Sequence, residues 1–441
     1  PGTWVAMTFL GKKLMEKGKF AGKEFNDIPI YAQDSLFILI ETTINISDDS
    51  LKELLYTDAI EFDKEPFQQS VALVTLAKDA IFLYPKEISE IETYAINLYT
   101  DDAGNPIRIS GFELLDEELN FTNSKPYVIY GYAIIPSAKE LKIDAGARIH
   151  FHENSGLVVQ DGGKLKVNGT LSDDNLALEG EIIFEGDRLE PEFSETPGQW
   201  GTIWISAGSK NNSINHLTIK NAEIGLFVEG LSNDIETTLI LANSHIYNNT
   251  RYNLWTKNAK LEAENLVLGN SGSSSLLIEN GGNYTFIHST IANYWNKGFR
   301  YNSALEITND SQDNGFDLVK ADFKNCIIDG NHQNEVSLLS NDQNSFNFNF
   351  LNCFIRYTQN DPYSPLNNLY DFTDSEFYSD IILNGEVDYF LTTKNDFRIG
   401  LDSDVINKGN LDAANISPLD ILGTLRIPAP DLGAYQAVEK E

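Results

Sequence analysis

Trp200, Trp204, Tyr294, Trp295, Arg300 and Tyr301 stand in two stretches rich in polar acceptors. Aromatic faces beside hydrogen-bonding groups suit sugar recognition, because a ring covers the apolar face of a sugar while polar neighbours take its hydroxyls. Trp200 and Trp204 follow Asp187, Glu190, Glu192 and Glu195; the other four precede Asn309-Asp310-Ser311-Gln312-Asp313-Asn314. The competing reading of Trp200 and Trp204 is packing between a loop and the core, the commoner use of large rings. The stretch from Asn309 to Asp317 has oxygens that suit Ca²⁺ but not in the order of an EF-hand loop, so Ca²⁺ is the one cofactor left open, with no metal ligand assigned. No residue is assigned a catalytic role.

These candidates interrupt a repeat. Six stretches carry an apolar residue, any residue, Asn, a small or apolar residue, any residue, then an apolar residue, centred on Asn221, Asn243, Asn265, His288, Asn325 and Asn352. Their centres are 22, 22, 23, 37 and 27 residues apart, the period of a β-solenoid. Positions two before, one after and three after each centre point inward, and the centre marks a corner between two short strands. Stacked about 4.8 Å apart, the six would form a ladder of side chains. His288 fits as a substitute rung, since imidazole both donates and accepts.

The same register stacks Cys326 one coil from Cys353, within reach of a disulfide although core thiols suit the neighbours better. It also turns Ile287, Thr290, Ile327, Leu351 and Phe354 outward as an apolar strip that needs a cover. Residues 293–320 and the chain after Arg356 are the candidate covers. The outward positions beside the ladder, among them Lys220, Glu223, His245 and Glu264, do not assemble a catalytic face.

The chain has 441 residues, 32 basic against 65 acidic, for a net charge of −33. That field disfavours nucleic acid and anionic lipid. No run has the length of a membrane-spanning helix. Runs such as 35–44, 56–62 and 70–76 read as strands of a small β-sandwich, and residues 86–125 as a linker or last hairpin. The chain opens Pro1-Gly2-Thr3-Trp4, which reads as a boundary inside a longer protein, so a lipid anchor in a missing N-terminus stays open.

Lys125-Pro126-Tyr127-Val128-Ile129-Tyr130-Gly131-Tyr132, Pro197-Gly198-Gln199-Trp200-Gly201-Thr202-Ile203-Trp204 and Pro430-Asp431-Leu432-Gly433-Ala434-Tyr435 carry a resemblance. With the repeat between them, the chain resembles the right-handed parallel β-helix surface proteins of Gram-negative bacteria, many of them outer-membrane lipoproteins with an Ig-like module in front. The expected fold is all-β: an Ig-like β-sandwich with its linker over residues 1–115, then a right-handed parallel β-helix with a closing segment over 116–441. The resemblance implies a place at the outer-membrane surface or outside the cell, and a non-catalytic scaffold that binds or adheres to glycans or surface proteins. Two alternatives stay open: a polysaccharide lyase or glycoside hydrolase, and a subunit of an outer-membrane assembly. The motifs of hydrolytic β-helices, Asn-Thr-Asp, Gly-His-Gly and Arg-Ile-Lys, do not occur among the ladder coils, and the pairs Asp48-Asp49, Asp101-Asp102 and Asp173-Asp174 fall in expected turns outside them.

Overall fold

The computed structural model describes residues 106–440 apart from 175–176, 232–234, 311–314 and 359–367, and upstream of these the segments 5–10, 21–22, 37–42, 53–63, 66–85 and 94–100. Asp48-Asp49 and Asp101-Asp102 lie outside the described residues. Two compact units divide between Asp79 and Ala80. In the first, Val5–Leu10 pairs antiparallel with Ala21–Gly22 and Phe37–Thr42, and Glu53–Phe62 pairs antiparallel with Gln69–Lys78. Phe37–Thr42, Glu53–Phe62 and Gln69–Lys78 fall in or across the β-runs predicted at 35–44, 56–62 and 70–76, and Val5–Leu10 and Ala21–Gly22 lie upstream of them.

The second unit is a right-handed parallel β-helix, built as a 19-stranded sheet that wraps two faces and a 10-stranded sheet that forms the third. Its strands begin upstream of residue 116: Ile81–Leu83 pairs in parallel with Tyr127–Ile129, and the hairpin of Tyr94–Thr100 and Pro106–Glu113 joins the third face. Strand alternation decides what lies inside. On Glu140–Asp144, Leu141 and Ile143 are buried while Lys142 between them is exposed. In-register pairing then stacks like on like. Phe286, Phe323, Phe350 and Tyr378 occupy successive rungs of the first face, with ring centroids 5.0, 4.9 and 5.6 Å apart and planes within 11° of parallel.

The corner between the first and second faces carries the ladder. His216, Asn243, Asn265, His288, Asn325, Asn352 and Asp380 all have φ between 48° and 55° there, the left-handed region that Asn, Asp and His enter most readily among residues with a side chain. Asn265 Nδ2 donates to Asn243 Oδ1 at 2.9 Å, and Asn325 Nδ2 to His288 Nε2 at 2.9 Å. Asn221 does not belong to this series. Pairing of Ile219 with Ile246 sets Asn221 beside Asn248 at the next corner, where Asn248 Nδ2 donates to Asn221 Oδ1 at 2.5 Å. The true rung is His216, five residues earlier. Both corners need a left-handed residue after an apolar strand end, so the same short pattern marks either one.

Cys326 and Cys353 are both buried thiols, one rung apart. Each sulfur faces a backbone carbonyl of the rung before it, Phe286 and Phe323. Burial and the neighbouring Cys326 raise the Cys353 thiol well above its ordinary range, which keeps it protonated and unreactive.

Of the outward apolar strip, Thr290, Ile327 and Phe354 are covered by the C-terminal segment, whereas Ile287 and Leu351 lie on the first face in line with Lys324 and outside that cluster. Ile327 and Phe354 are fully buried against Tyr389, Phe397, Val405, Leu432 and Ala434, with Tyr294 at the margin. Thr290 Oγ1 accepts from Ala434 N at 3.0 Å. Gly433, at φ +83°, lets the strap lie close: a Cβ there would stand 2.6 Å from Thr290 Oγ1 and 2.7 Å from Ile327 Cδ1. The strap also ties itself to the ladder. Asn265 donates to Leu419 O and accepts from Arg426, Asn325 donates to Asn410 O, and Asn352 donates to Lys408 O.

Candidate functional site: an aromatic row on the third face

The six aromatic and cationic candidates part company in the structure. Trp200 is 1% exposed, stacks on Phe151 with centroids 4.4 Å apart and donates its indole N–H to Lys220 O, so it packs the excursion onto the coil. Trp295 is buried. Arg300 is buried in a two-pronged ion pair with Glu335, at 2.8 and 2.6 Å, and Glu335 also accepts from the backbone N–H groups of His332 and Ala304. This fork fixes the base of the 294–304 excursion and leaves Arg300 no freedom to meet a ligand. Tyr301 and its neighbour Phe299 are 88% and 89% exposed at the tip, 6.5 Å apart. Tyr294 is half-buried and donates its hydroxyl to Asp329 at 2.8 Å.

Trp204 alone belongs to an extended surface row. Parallel pairing aligns Val158, Trp204, Phe227, Trp255 and Leu277 on consecutive rungs of the third face. Their strand neighbours Ile203, Ile205, Leu226, Val228 and Leu254 are buried in the core, so alternation turns the row outward. Trp204 and Phe227 are stacked 6.1 Å apart, Phe227 and Trp255 4.2 Å apart, and Tyr252 tilts against Trp255 at 5.5 Å. Phe227 is held under its two indole neighbours at 2% exposure, while both tryptophans keep part of their surface in solvent.

Two residues along each strand runs a second row, Glu229, Lys257 and Glu279. It fixes the rings. Trp204 Nε1 donates to Glu229 Oε2 at 2.8 Å, and Trp255 Nε1 to Glu279 Oε2 at 2.9 Å. Burial raises the Glu229 carboxyl above its ordinary range and Glu279 adds to the rise, against the indole hydrogen bond and Lys257. Glu306, on the rung beyond Leu277, is raised by burial in the same way and accepts from Asn302 Nδ2. The result is a stacked aromatic row edged by carboxylates. The part-exposed indoles offer apolar surface, and the carboxylate oxygens still have lone pairs to accept hydroxyl protons.

Phe227, Trp255, Glu229 and Glu279 were not among the candidates read from sequence. Their signal was present: Trp204, Phe227 and Trp255 are spaced by one coil each, but left-handed Asn follows only the strands of Trp255 and Leu277, at Asn258 and Asn280, while Ser206 and Gly230 follow those of Trp204 and Phe227, so no repeated Asn aligns the row.

The second face carries a different polar series. Glu185 pairs with Lys220 at 2.8 Å and approaches His150 at 3.7 Å. Burial lowers the Lys220 pKa, but Tyr247, Glu185 and Glu195 outweigh it and leave a net rise; burial takes Tyr247 to about 12. Both therefore hold their protons at neutral pH and are poorly suited to act as a base.

Two of the Ca²⁺ candidates, Asn309 and Asp317, are otherwise engaged. Asn309 Nδ2 donates to Ser345 O, its Oδ1 accepts from Asn341 N, and Asp317 Oδ1 accepts from Ser345 N. Asp313 and Asn314 lie outside the described residues. Among the described residues no three His, Cys, Asp or Glu side chains converge as metal ligands, and no helix is long and apolar enough to cross a membrane. Comparison with known proteins finds no matching family, no matching curated protein and no matching solved structure.

Proposed function

We propose that the chain is a non-catalytic binding scaffold at the cell surface or outside the cell, and that its third face holds a neutral glycan chain. The observation that carries this reading is the stacked row Trp204, Phe227, Trp255, with each indole N–H locked onto a carboxylate of the adjacent row. A rigid solenoid presents such a row at low entropic cost, since the rings are ordered before any ligand arrives. Neutral sugars fit better than acidic ones. Glu229, Glu279 and Glu306 accept hydroxyl protons but repel carboxylated or sulfated chains, and the net charge of −33 adds to that repulsion.

The antiparallel N-terminal unit would then be an Ig-like module. The assembly alternative draws less support, because Ile327 and Phe354 of the apolar strip that could have met a partner are covered by the chain's own C-terminus.

Titration calorimetry with neutral oligosaccharides, preceded by a glycan array, tests the binding reading. The Trp204→Ala/Trp255→Ala double variant should bind at least about tenfold more weakly, as truncated aromatic anchors do. Unchanged affinity in a folded double variant, or retention of acidic glycans alone, would refute the site. Release of unsaturated or reducing ends from any polysaccharide would refute the non-catalytic assignment.

A further inference from the structure

Two histidines lie under the C-terminal strap, two coils apart. His288 faces Gly433 O from Nδ1 at 3.3 Å, and its Nε2 accepts from Asn325 Nδ2 at 2.9 Å. Asn325 is itself tied to the strap: its Nδ2 also donates to Asn410 O at 2.9 Å, and its Oδ1 accepts from Asn410 N at 2.6 Å. Only a neutral ring fits this series of bonds. Once Nε2 carries a proton, two donors confront each other. Turning the Asn325 amide over to accept from the ring would set both of its bonds to Asn410 donor against donor and acceptor against acceptor. His245, half-buried, makes the other contact, with Nε2 2.9 Å from Tyr435 Oη.

The charged neighbours do not favour a second cation here. Asp396 acts on His245 but holds Arg398 with both oxygens, at 2.8 and 2.6 Å, and His216 is a further ring of the same kind beside it. The cation near His288 is Arg426, with Asp420, Asp431 and Glu264 around it. Asp420 accepts from the Thr424 and Gln436 amides, and Asp431 from those of Asn407 and Ala437, all within the strap. Burial takes His245 down to about 4 and His288 down to about 2, with His216 and Arg426 adding to the two falls. Glu264, whose carboxyl burial raises, works in the opposite direction.

We propose that the strap is an acid-released latch: a proton on His288, relayed through the Asn325 amide to Asn410, and a second on His245 detach residues 405–436 from the coils and bare Val267, Ile327 and Phe354. With the strap lifted, both rings return to the ordinary pKa near 6.5, so the lifted state binds protons that the closed one refuses. Release is therefore favoured as pH falls below 6.5, by about 20-fold per histidine at pH 5 relative to pH 7. Nothing in the latch depends on the third-face row.

Hydrogen exchange read by mass spectrometry on the full chain, corrected for the intrinsic exchange rate, tests it. Between pH 7 and pH 5 the protection of peptides within 405–436 should fall about 400-fold, to below that of the strapped strand Lys260–Leu268. Glu140–Asp144, on a coil before the strap, should keep its own protection. His288→Asn and His245→Gln should each reduce the fall to about 20-fold, and the double variant should abolish it. Glu264→Gln should not reduce it. No fall in the parent, an undiminished fall in the double variant, or loss of protection by the strap and Lys260–Leu268 together would overturn the latch. A fall in His288→Asn as large as in the parent would overturn the relay through Asn325.

Discussion

At the scale of single residues, His288 shows how a corner restricts chemistry. It is fully buried, accepts from Asn325 at Nε2, and sits 3.3 Å from Gly433 O at Nδ1, a geometry that requires the neutral ring with its proton on Nδ1. Burial and the nearby Arg426 cation push its pKa down to about 2, from 6.5. Protons therefore bind the unfolded chain near pH 6.5 and are refused by the folded one. Stability from this residue is intact above that pH and lost as pH falls, by about 2 kcal/mol between pH 7 and pH 5. His288→Asn places the ladder's usual residue in the corner. The variant should lose about 2 kcal/mol less than the parent over that interval in urea melts; an equal loss would show that His288 does not govern it. The sequence showed that His288 is a rung, because few side chains tolerate the left-handed corner. It did not show Arg426, which arrives from 138 residues downstream.

Elements are specified by their corners more than by their strands. Asn265 both bridges rungs and accepts from Arg426 at 2.8 Å. Asn265→Ala should cost about 3 kcal/mol: about 1 for a left-handed alanine and about 2 for the orphaned guanidinium donor. Asn265→Gly should restore about 1 kcal/mol of that, and no difference between the two by chemical denaturation would remove the backbone part of the argument. The same dependence explains what was legible. Strand faces and the core stack of Phe286, Phe323 and Phe350 followed from alternation once the corner was placed. Asn221 was placed at the wrong corner because both corners use one residue type, and the Trp204 to Trp255 row escaped notice because Asn follows only some of the third-face strands.

For the whole molecule, the decisive element is the C-terminal strap. An apolar strip on Ile327 and Phe354 could be read from sequence, since it follows from the register of one repeat, and so could the need for a cover. Which groups of the strap meet which rungs could not, because those bonds join Asn410 to Asn325 and Tyr435 to His245 across 85 and 190 residues. Phe354→Ala should cost about 3–5 kcal/mol, since the ring is fully buried between two layers. A loss below about 1 kcal/mol in a denaturant melt would mean that the strap does not clamp there.

An unstrapped solenoid is a one-dimensional stack whose coils contact only their neighbours, and such stacks can open from an end one coil at a time. Here one segment reaches His245, Asn265, His288, Asn325 and Asn352, which lie on five consecutive coils. Those coils cannot peel off singly without releasing the strap from all of them. Amide hydrogen exchange should therefore give nearly one opening free energy from residue 239 to residue 355, with a graded profile confined to the coils before residue 216. A smooth gradient across the strapped coils would show that they open independently.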